Sequence, residues 1–442
     1  MCGIFGIYNS DNAFYLTSLG LQSLQHRGQE GAGMVTVSNG KMYTHRKLGL
    51  VGEIFSEKIS LPGNMSIGHV RYSTTGNKHN NSVDVQPFII DCSVGNLAIA
   101  HNGNLINADA LRDRLKGDGS IFSSTSDTEI ILHMMANSNE SDIVDALIAS
   151  LRELKGSYSI LLLSDKKLIA ARDPRGYRPL VIGRLNDSYI ICSETCSIDA
   201  INGEYVREVL PGEIIIIEDN LIKTIFPFKA DVGKNCIFEH IYFSRPDSTV
   251  FGQSVYNMRM RMGKVLAEES HVDADVVIGV PDSGTHAAIG YARESGIPFL
   301  QGLIRSRYTG RTFIKPDQKS RESAVMLKHI PIKHAIENNR VIIVDDSIVR
   351  GTTLKRLVSL FRKYGAREVH VRIASPPVIS PCYYGIDTPE RDSLIAANYE
   401  VDEINNIIES DSLAYLSLDS LKKIQGDREG SYCESCFTGY YQ

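Results

Sequence analysis

The feature that most constrains this chain is a segment of thirteen residues, 341–353, with the sequence VIIVDDSIVRGTT. Its aliphatic run is typical of a buried strand, two aspartates end that strand, and a short loop containing Gly351 leads into a helical pattern. Backbone N–H groups at such a loop and helix start, with the hydroxyls of Thr352 and Thr353, can bind phosphate oxygens. The segment predicts a phosphate site, although an acidic turn capped by threonine would have similar residues.

Other features of the same half suit a polyphosphate ligand. Asp345 and Asp346 can orient ribose hydroxyls or bind Mg²⁺, directly or through water. Residues 280–285 (VPDSGT) also follow an apolar run and precede a helical pattern, which suits a second phosphate contact or an ordinary turn. The long polar stretch from about 305 to 328 contains several basic residues, and we expect either a lid over the ligand or a solvated loop.

The two halves of the chain differ in their predicted secondary structure. Up to about residue 228, short strand patterns accompany helical patterns at 128–135 and 143–154, which predicts stacked sheets with helices outside. After the polar residues 229–234, strand and helix patterns alternate, which predicts a parallel α/β sheet, and the tail from residue 393 is expected to be helical. We therefore predict two domains, 2–230 and 231–442.

The composition is that of an ordinary globular protein. Of 442 residues, 43% are hydrophobic and 22% are charged, and the formal net charge is −5. No basic field favours nucleic acid or an anionic membrane, and no apolar run approaches the ~20 residues that span a bilayer. The N-terminus lacks the pattern of a signal peptide, so we expect a cytoplasmic protein in which the eight cysteines are reduced, catalytic or metal-bound.

Position 2 is a cysteine, in the opening sequence MCGIFGIY. Removal of Met1 would give Cys2 a thiol and a free α-amine, which is the arrangement of a nucleophile with its own base. A chance cysteine at a disordered terminus is the ordinary alternative. The apolar residues that follow instead predict a buried first strand, and we expect no propeptide before Cys2.

Three segments supply groups that such a nucleophile requires. The sequence HNGN offers the side-chain amide of Asn102 and the backbone N–H of Gly103 as an oxyanion hole, although such a sequence more often only ends a strand. The sequence GHVRYS contains Arg71, which suits a substrate carboxylate or an ion pair. The sequence SDTE contains Asp127, which can bind an ammonium group or cap the helix that follows.

Together these segments resemble the class II glutamine amidotransferases, with further matches at 2–4 (CGI) and 25–30 (QHRGQE). Residues 341–353 resemble the loop that binds phosphoribosyl pyrophosphate (PRPP) in type I phosphoribosyltransferases. The motifs stand in the order found in the glutamine PRPP amidotransferase family, and the resemblance covers nearly the whole chain, including 241–248 and 307–313. It implies an αββα N-terminal-nucleophile glutaminase domain followed by a parallel-sheet phosphoribosyltransferase domain.

The resemblance also implies residue roles in the first committed step of purine synthesis. Cys2 would release ammonia from glutamine, with its α-amine as base, Arg71 and Asp127 would bind glutamine, and Asn102 and Gly103 would stabilise the oxyanion. The ammonia would then displace pyrophosphate from PRPP and give 5-phosphoribosylamine. The other implied residues are the Mg²⁺ ligands Ser283, Asp345 and Asp346, the PRPP contacts Asp345, Asp346, Ser347, Ile348, Val349, Arg350, Gly351, Thr352, Thr353, Tyr308 and Arg311, and the inter-site residues Tyr242 and Arg245. Purine nucleotides as inhibitors and a homo-oligomer, either a dimer or a tetramer, are implied as well.

Four further cysteines need an explanation: Cys236, Cys382, Cys433 and Cys436. One C-x-x-C pair with two distant cysteines is a weak metal signal, and buried reduced thiols are the ordinary alternative. The sequences around them resemble the iron–sulfur branch of the family, which implies a [4Fe–4S] cluster, with a zinc site as the fallback. The cluster would hold the tail against the transferase domain without taking part in transfer. Cys92, Cys192 and Cys196 are expected to be structural thiols.

Two other functions remain as alternatives. Another class II amidotransferase would need a different second half: asparagine synthesis requires a Ser-Gly-Gly-x-Asp-Ser loop, which the sequence lacks, and aminosugar synthesis requires a sugar-isomerase half. A non-catalytic regulator that senses nucleotides with the phosphoribosyltransferase fold is disfavoured by the glutaminase residues. PRPP-dependent release of glutamate from glutamine would distinguish the three.

Overall fold

The computed structural model describes residues 1–72, 82–229, 233–305, 329–428 and 430–441. The predicted PRPP contacts Tyr308 and Arg311, and nearly all of the predicted lid, lie outside the described residues. Within the described ranges, no helix combines the length and the apolar character needed to cross a bilayer.

Two antiparallel sheets face each other in the N-terminal part, residues 1–229. In the described residues, the first sheet has seven strands, which are, from edge to edge, Glu204–Glu208, Val181–Leu185, Ser188–Cys192, Gly3–Tyr8, Met65–Arg71, Gly31–Ser38 and Lys41–Leu48. The second has six described strands, Leu221–Ile225, Ile214–Glu218, Leu168–Arg172, Gly156–Leu163, Gly95–Leu105 and Phe88–Cys92. The predicted first strand is therefore central in its sheet.

Apolar side chains from both sheets form the core between them, with Ile4 of the first sheet and Leu161 of the second fully buried. Helix Ala13–Ser23 covers the outer face of the first sheet, and helices Thr128–Ala136 and Ile143–Glu153 cover that of the second. Buried apolar area contributes about 25 cal/mol per Å² to stability, so each face needs such a partner. The predicted αββα arrangement is confirmed. Shorter helices lie at Val51–Ile54, Ala108–Gly117 and Cys196–Asp199, with a 3-10 turn at Ser82–Asp84.

The C-terminal part, residues 233–441, contains the predicted parallel sheet. Its strands, in spatial order, are Val276–Gly279, Arg340–Asp345, Glu368–Ile373 and Ser412–Tyr415. Helices Val255–Glu269 and Gly284–Ser295 pack on one face, and helices Thr352–Lys363 and Val401–Ile408 pack on the other. The remaining described elements include the short helices Lys333–Ile336, Ile395–Asn398, Leu418–Gln425 and Ser435–Thr438, the π-helix Glu239–Phe243, and the 3-10 turns Arg391–Ser393 and Gly426–Arg428. They also include the strand pair Leu303–Arg305 and His329–Pro331 and the two-residue strands Asn235–Cys236, Thr249–Val250, Gln253–Ser254 and Tyr432–Cys433.

One element differs from the sequence prediction. Ser412–Tyr415 is a strand within the tail that was expected to be helical, because Asp411 accepts a hydrogen bond from the Val369 N–H (2.6 Å) and starts the pairing. Residues 298–304 make only an isolated bridge at Phe299 and the start of a short hairpin. A side chain at Gly302 would place its Cβ 2.2 Å from Ile278, so the chain passes over that side chain instead of pairing there.

Residues 230–232 lie outside the described residues, so the predicted domain boundary stays a prediction. The segment that follows lies beside the C-terminal residues, because strand Asn235–Cys236 pairs in parallel with strand Tyr432–Cys433. It then forms the π-helix Glu239–Phe243, which lies where the two parts of the chain meet. This geometry brings residues of both halves to one junction.

Candidate active sites

Cys2 precedes the central strand Gly3–Tyr8 and lies against a neighbouring strand of each sheet. Its backbone nitrogen lies 3.3 Å from Oδ1 of Asn102, and its sulfur lies 3.6 Å from the carbonyl oxygen of Tyr72. Burial raises the pKa of the Cys2 thiol. Because the thiolate is the nucleophilic form, such a thiol requires an adjacent base. The nitrogen that loss of Met1 would convert to an amine is already held by Asn102.

Asn102 lies where an oxyanion donor is predicted. Its Oδ1 accepts from Cys2, while its Nδ2 is buried and has no hydrogen-bond partner among the described residues. An unpaired buried donor costs about 1–3 kcal/mol, so this N–H group is suited to an incoming substrate oxygen. At Gly103, a Cβ would lie only 2.1 Å from the carbonyl oxygen of Ser157, and this close packing requires glycine.

Arg71 keeps part of its guanidinium available. The residue is 5% exposed, and its Nη1 is a buried atom that forms no hydrogen bond within the described part of the chain. Its contacts to Asp84 (3.4 Å) and Glu30 (3.7 Å) are long. This donor therefore suits a substrate carboxylate. The Arg71 charge acts to lower the pKa of the Cys2 thiol, against the larger effect of burial.

Asp127 precedes the helix Thr128–Ala136 but makes no capping hydrogen bond to it. Its Oδ2 instead accepts from the N–H of Leu105 at 2.9 Å. Burial by itself would raise the pKa of Asp127, but His101 and these hydrogen bonds bring it below its usual value. The carboxylate is thus ionised and suited to an ammonium group, and the capping alternative is wrong.

Arg27 is a residue of this site to which the sequence assigned no role, although it stands in the matching segment QHRGQE. It is 1% exposed, and its Nε donates to the carbonyl oxygen of Cys2 at 2.9 Å. Its other nitrogens pair with the buried carboxylates of Glu194 (2.5 Å) and Glu239 (2.9 Å). Burial alone would lower the pKa of Arg27, but these two carboxylates raise it. Arg27 therefore stays charged and fixes the backbone of the nucleophile.

The predicted Mg²⁺ ligands lie together at the end of strand Arg340–Asp345. Asp345 and Asp346 are buried, at 8% and 6% exposure. Ser283 donates its hydroxyl to Oδ2 of Asp346, and Ser347 donates to Oδ1 at 2.6 Å. Burial raises the pKa of Asp346, although both hydroxyls act in the opposite direction. Clustered oxygen ligands of this kind suit Mg²⁺.

The loop after these aspartates has the conformation that its sequence predicts. Gly351 has φ of +75°, and a Cβ there would lie 2.8 Å from Ile395, so glycine is required. Ile348 is buried and anchors the loop, and Val349 is partly buried. Helix Thr352–Lys363 then begins. The exposed positions of the loop and helix start, available to a phosphate, are Arg350, Thr352 and Thr353.

Tyr242 belongs to the π-helix Glu239–Phe243 and is 49% exposed. Partial burial raises the pKa of Tyr242 to about 12, and Asp346, Tyr72 and Asp345 act in the same direction. Its predicted role between the two sites stays a prediction. The other predicted inter-site residue is also at the junction, since the Arg245 backbone N–H donates to Glu194 at 2.9 Å and its guanidinium donates to the carbonyl oxygen of Ser23 at 3.1 Å.

The four remaining cysteines have free thiols, and three of them, Cys236, Cys382 and Cys436, contribute to one apolar cluster. Cys236 and Cys433 are partners in the parallel strand pair. Burial raises the pKa of the Cys436 thiol, and Cys236, Cys382 and Cys433 add to the shift. In the ranges that the structure covers, no three His, Cys, Asp or Glu side chains form a group that could hold a metal ion.

The loop that carries Cys382 also contacts the N-terminal part, beyond the predicted contact of tail and transferase domain. The carbonyl oxygen of Tyr384 accepts hydrogen bonds from Ser157 (2.7 Å) and Arg178 (2.8 Å). A Cβ on Gly385 would lie 3.2 Å from the backbone of Gly103. The loop that follows Cys382 is therefore packed against the strand that bears the oxyanion residues.

Comparison with known proteins shows similarity along the whole chain. A family model described as a glutamine amidotransferase domain matches residues 69–200, and one described as a phosphoribosyl transferase domain matches residues 261–375. The amidophosphoribosyltransferases of Archaeoglobus fulgidus and Bacillus subtilis are 48% and 46% identical, each covering 100% of this chain, with 98% and 94% of the relatives covered. Amidophosphoribosyltransferase 1, chloroplastic, of Arabidopsis thaliana is 51% identical, over 100% of this chain and 78% of its own length. The structure of glutamine PRPP amidotransferase from B. subtilis complexed with ADP and GMP superposes with a TM-score of 0.94 at 46% identity, covering 100% of this chain and 97% of that one.

Proposed function

Because the chain belongs to the amidophosphoribosyltransferase family, we propose that its two sites carry out consecutive halves of one reaction with the predicted residues in the predicted roles. The N-terminal part hydrolyses glutamine to glutamate and ammonia. The C-terminal part transfers that ammonia to C1 of PRPP, releasing pyrophosphate and 5-phosphoribosylamine. The observation that carries this proposal is Arg27, which donates to the carbonyl oxygen of Cys2 and to the carboxylate of Glu239, so that the predicted nucleophile is held by the C-terminal part.

The glutaminase half begins with transfer of the Cys2 thiol proton to the α-amine. The thiolate attacks the carboxamide carbon, and Nδ2 of Asn102 and the N–H of Gly103 donate to the developing oxyanion. The C–N bond then breaks as the nitrogen takes a proton from the α-ammonium and leaves as ammonia. Water hydrolyses the thioester to give glutamate. Arg71 and Asp127 hold the glutamine carboxylate and ammonium throughout.

In the transferase half, the ammonia nitrogen donates its lone pair to C1 of PRPP as the C1–O bond to pyrophosphate breaks. Ser283, Asp345 and Asp346 would hold Mg²⁺, which when bound neutralises charge on the leaving pyrophosphate. The loop 347–353 would bind the 5-phosphate, and Tyr308 and Arg311 would contact PRPP from the segment outside the described residues. Ammonia is largely protonated in neutral water, so a dry passage beside Tyr242 would preserve its reactivity.

We also propose that Cys236, Cys382, Cys433 and Cys436 hold a [4Fe–4S] cluster. Cys236 and Cys436 are buried in one apolar cluster, Cys382 packs against that cluster, Cys433 pairs with Cys236 in the strand ladder, and none of the described thiols is in a disulfide. The absence of a three-ligand group among the described residues does not distinguish the cluster from zinc, so the proposal depends on the sequences around the four cysteines.

Metal analysis of the protein purified without oxygen tests the cluster. We expect about four iron and four sulfide per chain with visible absorbance, because each iron of a cubane takes one protein thiolate. Cys433→Ser should lower the iron content, whereas Cys92→Ser, outside the cluster, should leave it unchanged. One zinc per chain with no sulfide would contradict the proposal.

Met1 has to be removed before Cys2 can become the nucleophile, and the burial of Met1 makes removal before folding the faster route. Met1 is 1% exposed, and burial lowers the pKa of its α-amine to about 5. An aminopeptidase can reach this residue only after local opening. We expect folded protein that retains Met1 to lose it at least about 100-fold more slowly than the denatured chain, as measured by intact mass. Equal rates would contradict the burial of Met1.

Several finer predictions remain open to test. The relative from B. subtilis was solved with ADP and GMP, which supports purine nucleotides as inhibitors of this chain. The proposed homo-oligomer requires measurement of the mass in solution. A cytoplasmic location stays a prediction, since the plant relatives are named as chloroplastic. The overall function is tested by glutamate release that depends on PRPP, with the formation of phosphoribosylamine, which a non-catalytic regulator would not produce.

A further inference from the structure

Asp84 connects the two groups that are predicted to bind the amino-acid end of glutamine. It ends the 3-10 turn Ser82–Asp84 and is 3% exposed. Its Oδ1 accepts from the backbone N–H of Thr125 at 2.8 Å, and its Oδ2 accepts from the hydroxyl of the same residue at 3.0 Å. Its Oδ2 also accepts from Nη2 of Arg71 at 3.4 Å. One buried carboxylate therefore holds the predicted carboxylate ligand and the segment that leads into Asp127.

Gln86, two residues later, extends the same connection to the strand that bears the oxyanion donor. Its side chain is buried, its Oε1 accepts from the backbone N–H of His101 at 2.7 Å, and its Nε2 donates to the hydroxyl of Thr128 at 2.9 Å. His101 directly precedes Asn102, and Thr128 directly follows Asp127. The short segment that begins at the end of the 3-10 turn is thus bonded to residues on both sides of the predicted ammonium ligand.

The contact with Asp84 also decides which way the guanidinium of Arg71 turns. Asp84 lies beside Nη2, whereas Nη1, which makes no hydrogen bond within the described part of the chain, lies 3.7 Å from the carboxylate of Glu30. A buried guanidinium requires a carboxylate partner, so without Asp84 it would turn towards Glu30. Glu30 would then compete with the substrate carboxylate for Nη1. The carboxylate of Asp84 therefore keeps Nη1 available.

We propose that Asp84 is a positioning residue that holds Arg71 and Asp127 at the separation that the α-carboxylate and α-ammonium of glutamine require. The inference rests on the proposed function and deepens it, because it assigns recognition of the amino-acid end to a residue that acts through other side chains. These contacts are made far from the bond that breaks, so they stabilise the bound substrate and the transition state equally. Loss of Asp84 should raise KM for glutamine more than it lowers kcat.

Asp84→Asn keeps the shape of the side chain but turns one of its two acceptors into an amide donor. Whichever way the amide is oriented, an N–H of Arg71 or of Thr125 then faces another donor. We expect KM for glutamine to rise about 10-fold, the scale of a hydrogen bond to a charged group, while kcat changes less than about threefold. Synthesis from added ammonia should stay within about twofold of wild type.

Alkylation of Cys2 separates recognition of glutamine from damage to the nucleophile. The diazomethyl ketone analogue of glutamine keeps the α-carboxylate and α-ammonium, whereas iodoacetamide has neither, and both reagents alkylate a nucleophilic thiol. The readout is the ratio of their second-order rates at Cys2, the analogue over iodoacetamide, measured by the mass of the N-terminal peptide from the full-length protein. In Asp84→Asn we expect this ratio to fall about 10-fold, with the iodoacetamide rate within about twofold of wild type. A merely structural role would lower both rates together and leave the ratio unchanged.

Glu213→Gln is the matched control. Glu213 is fully buried and, like Asp84, accepts from an arginine, a backbone N–H and a threonine hydroxyl. These donors belong to Arg207 (2.6 and 2.9 Å), Leu210 (2.6 Å) and Thr224 (3.2 Å), so the contacts of this carboxylate in the described ranges include none of the predicted glutamine ligands. Both KM for glutamine and the alkylation ratio should stay within about twofold of wild type.

Thr125→Val is the second variant, for the case in which Asp84→Asn does not fold. It removes only the hydroxyl that donates to Asp84 and should lower the alkylation ratio about two- to fivefold. A wild-type ratio in Asp84→Asn, or in Thr125→Val if only that variant folds, would overturn the inference. A wild-type protein that releases no glutamate from glutamine would instead contradict the proposed function, so the two failures are distinguishable.

Discussion

Replacing Cys2 by alanine is expected to abolish glutamate release and glutamine-dependent synthesis of phosphoribosylamine, while synthesis from added ammonia continues. The sulfur is the atom that attacks glutamine, and loss of a nucleophile typically costs about 10⁴- to 10⁶-fold in rate. The PRPP site lies on a different sheet, at the end of strand Arg340–Asp345, and keeps all its ligands. The measurements are glutamate release and pyrophosphate release, with glutamine or ammonia as the nitrogen source.

Cys92→Ala is the control for this experiment. Cys92 ends an edge strand of the second sheet, and its thiol donates to the carbonyl oxygen of Gly95. Both activities of this variant should remain near wild type. If a well-folded Cys2→Ala variant loses ammonia-dependent synthesis as well, the division of labour between the two sites is wrong. If it still hydrolyses glutamine, Cys2 is not the nucleophile.

The sequence predicts well those features whose causes are local. Within residues 341–353, the sequence predicts a strand that ends in two aspartates, a loop that contains Gly351 and the start of a helix, and all of these form as expected. Gly351 has the left-handed conformation that glycine allows. The double sheet of the N-terminal part follows from strand periodicity. By contrast, the strand Ser412–Tyr415 has little strand character of its own and forms because the parallel sheet offers it an edge.

The site was harder to predict, because its members come from distant segments. Cys2 and Asn102 are separated by 100 positions, and only family resemblance brings them together in advance. Arg27 belongs to a matching segment, but nothing local indicates that it pairs with Glu239, which is 212 positions away. A buried ion pair between domains has no periodic pattern, so it becomes visible only when both partners are placed in the fold.

Asp346→Asn is expected to have the opposite effect to Cys2→Ala. Synthesis should fall at least about 100-fold with either nitrogen source, whereas glutamate release without PRPP should remain. The substitution keeps the volume, but it replaces one acceptor oxygen by an amide donor facing the hydroxyl of Ser283 or Ser347, and it removes a charged ligand for Mg²⁺. The measurements are pyrophosphate release and binding of PRPP at several Mg²⁺ concentrations.

Asp275→Asn is the matched control, since this carboxylate lies in the same domain but pairs with Arg340 (3.0 Å) and Arg367 (2.8 Å) instead of the predicted Mg²⁺ ligands. If Asp346→Asn keeps ammonia-dependent synthesis, the Mg²⁺ assignment is wrong.

A mixture of the Cys2→Ala and Asp346→Asn proteins then tests the passage between the sites. Each supplies the site that the other lacks, so ammonia has to cross bulk water, where it is diluted and protonated. Glutamine-dependent synthesis by the mixture should stay far below that of wild type, and full restoration would show that no direct passage is needed.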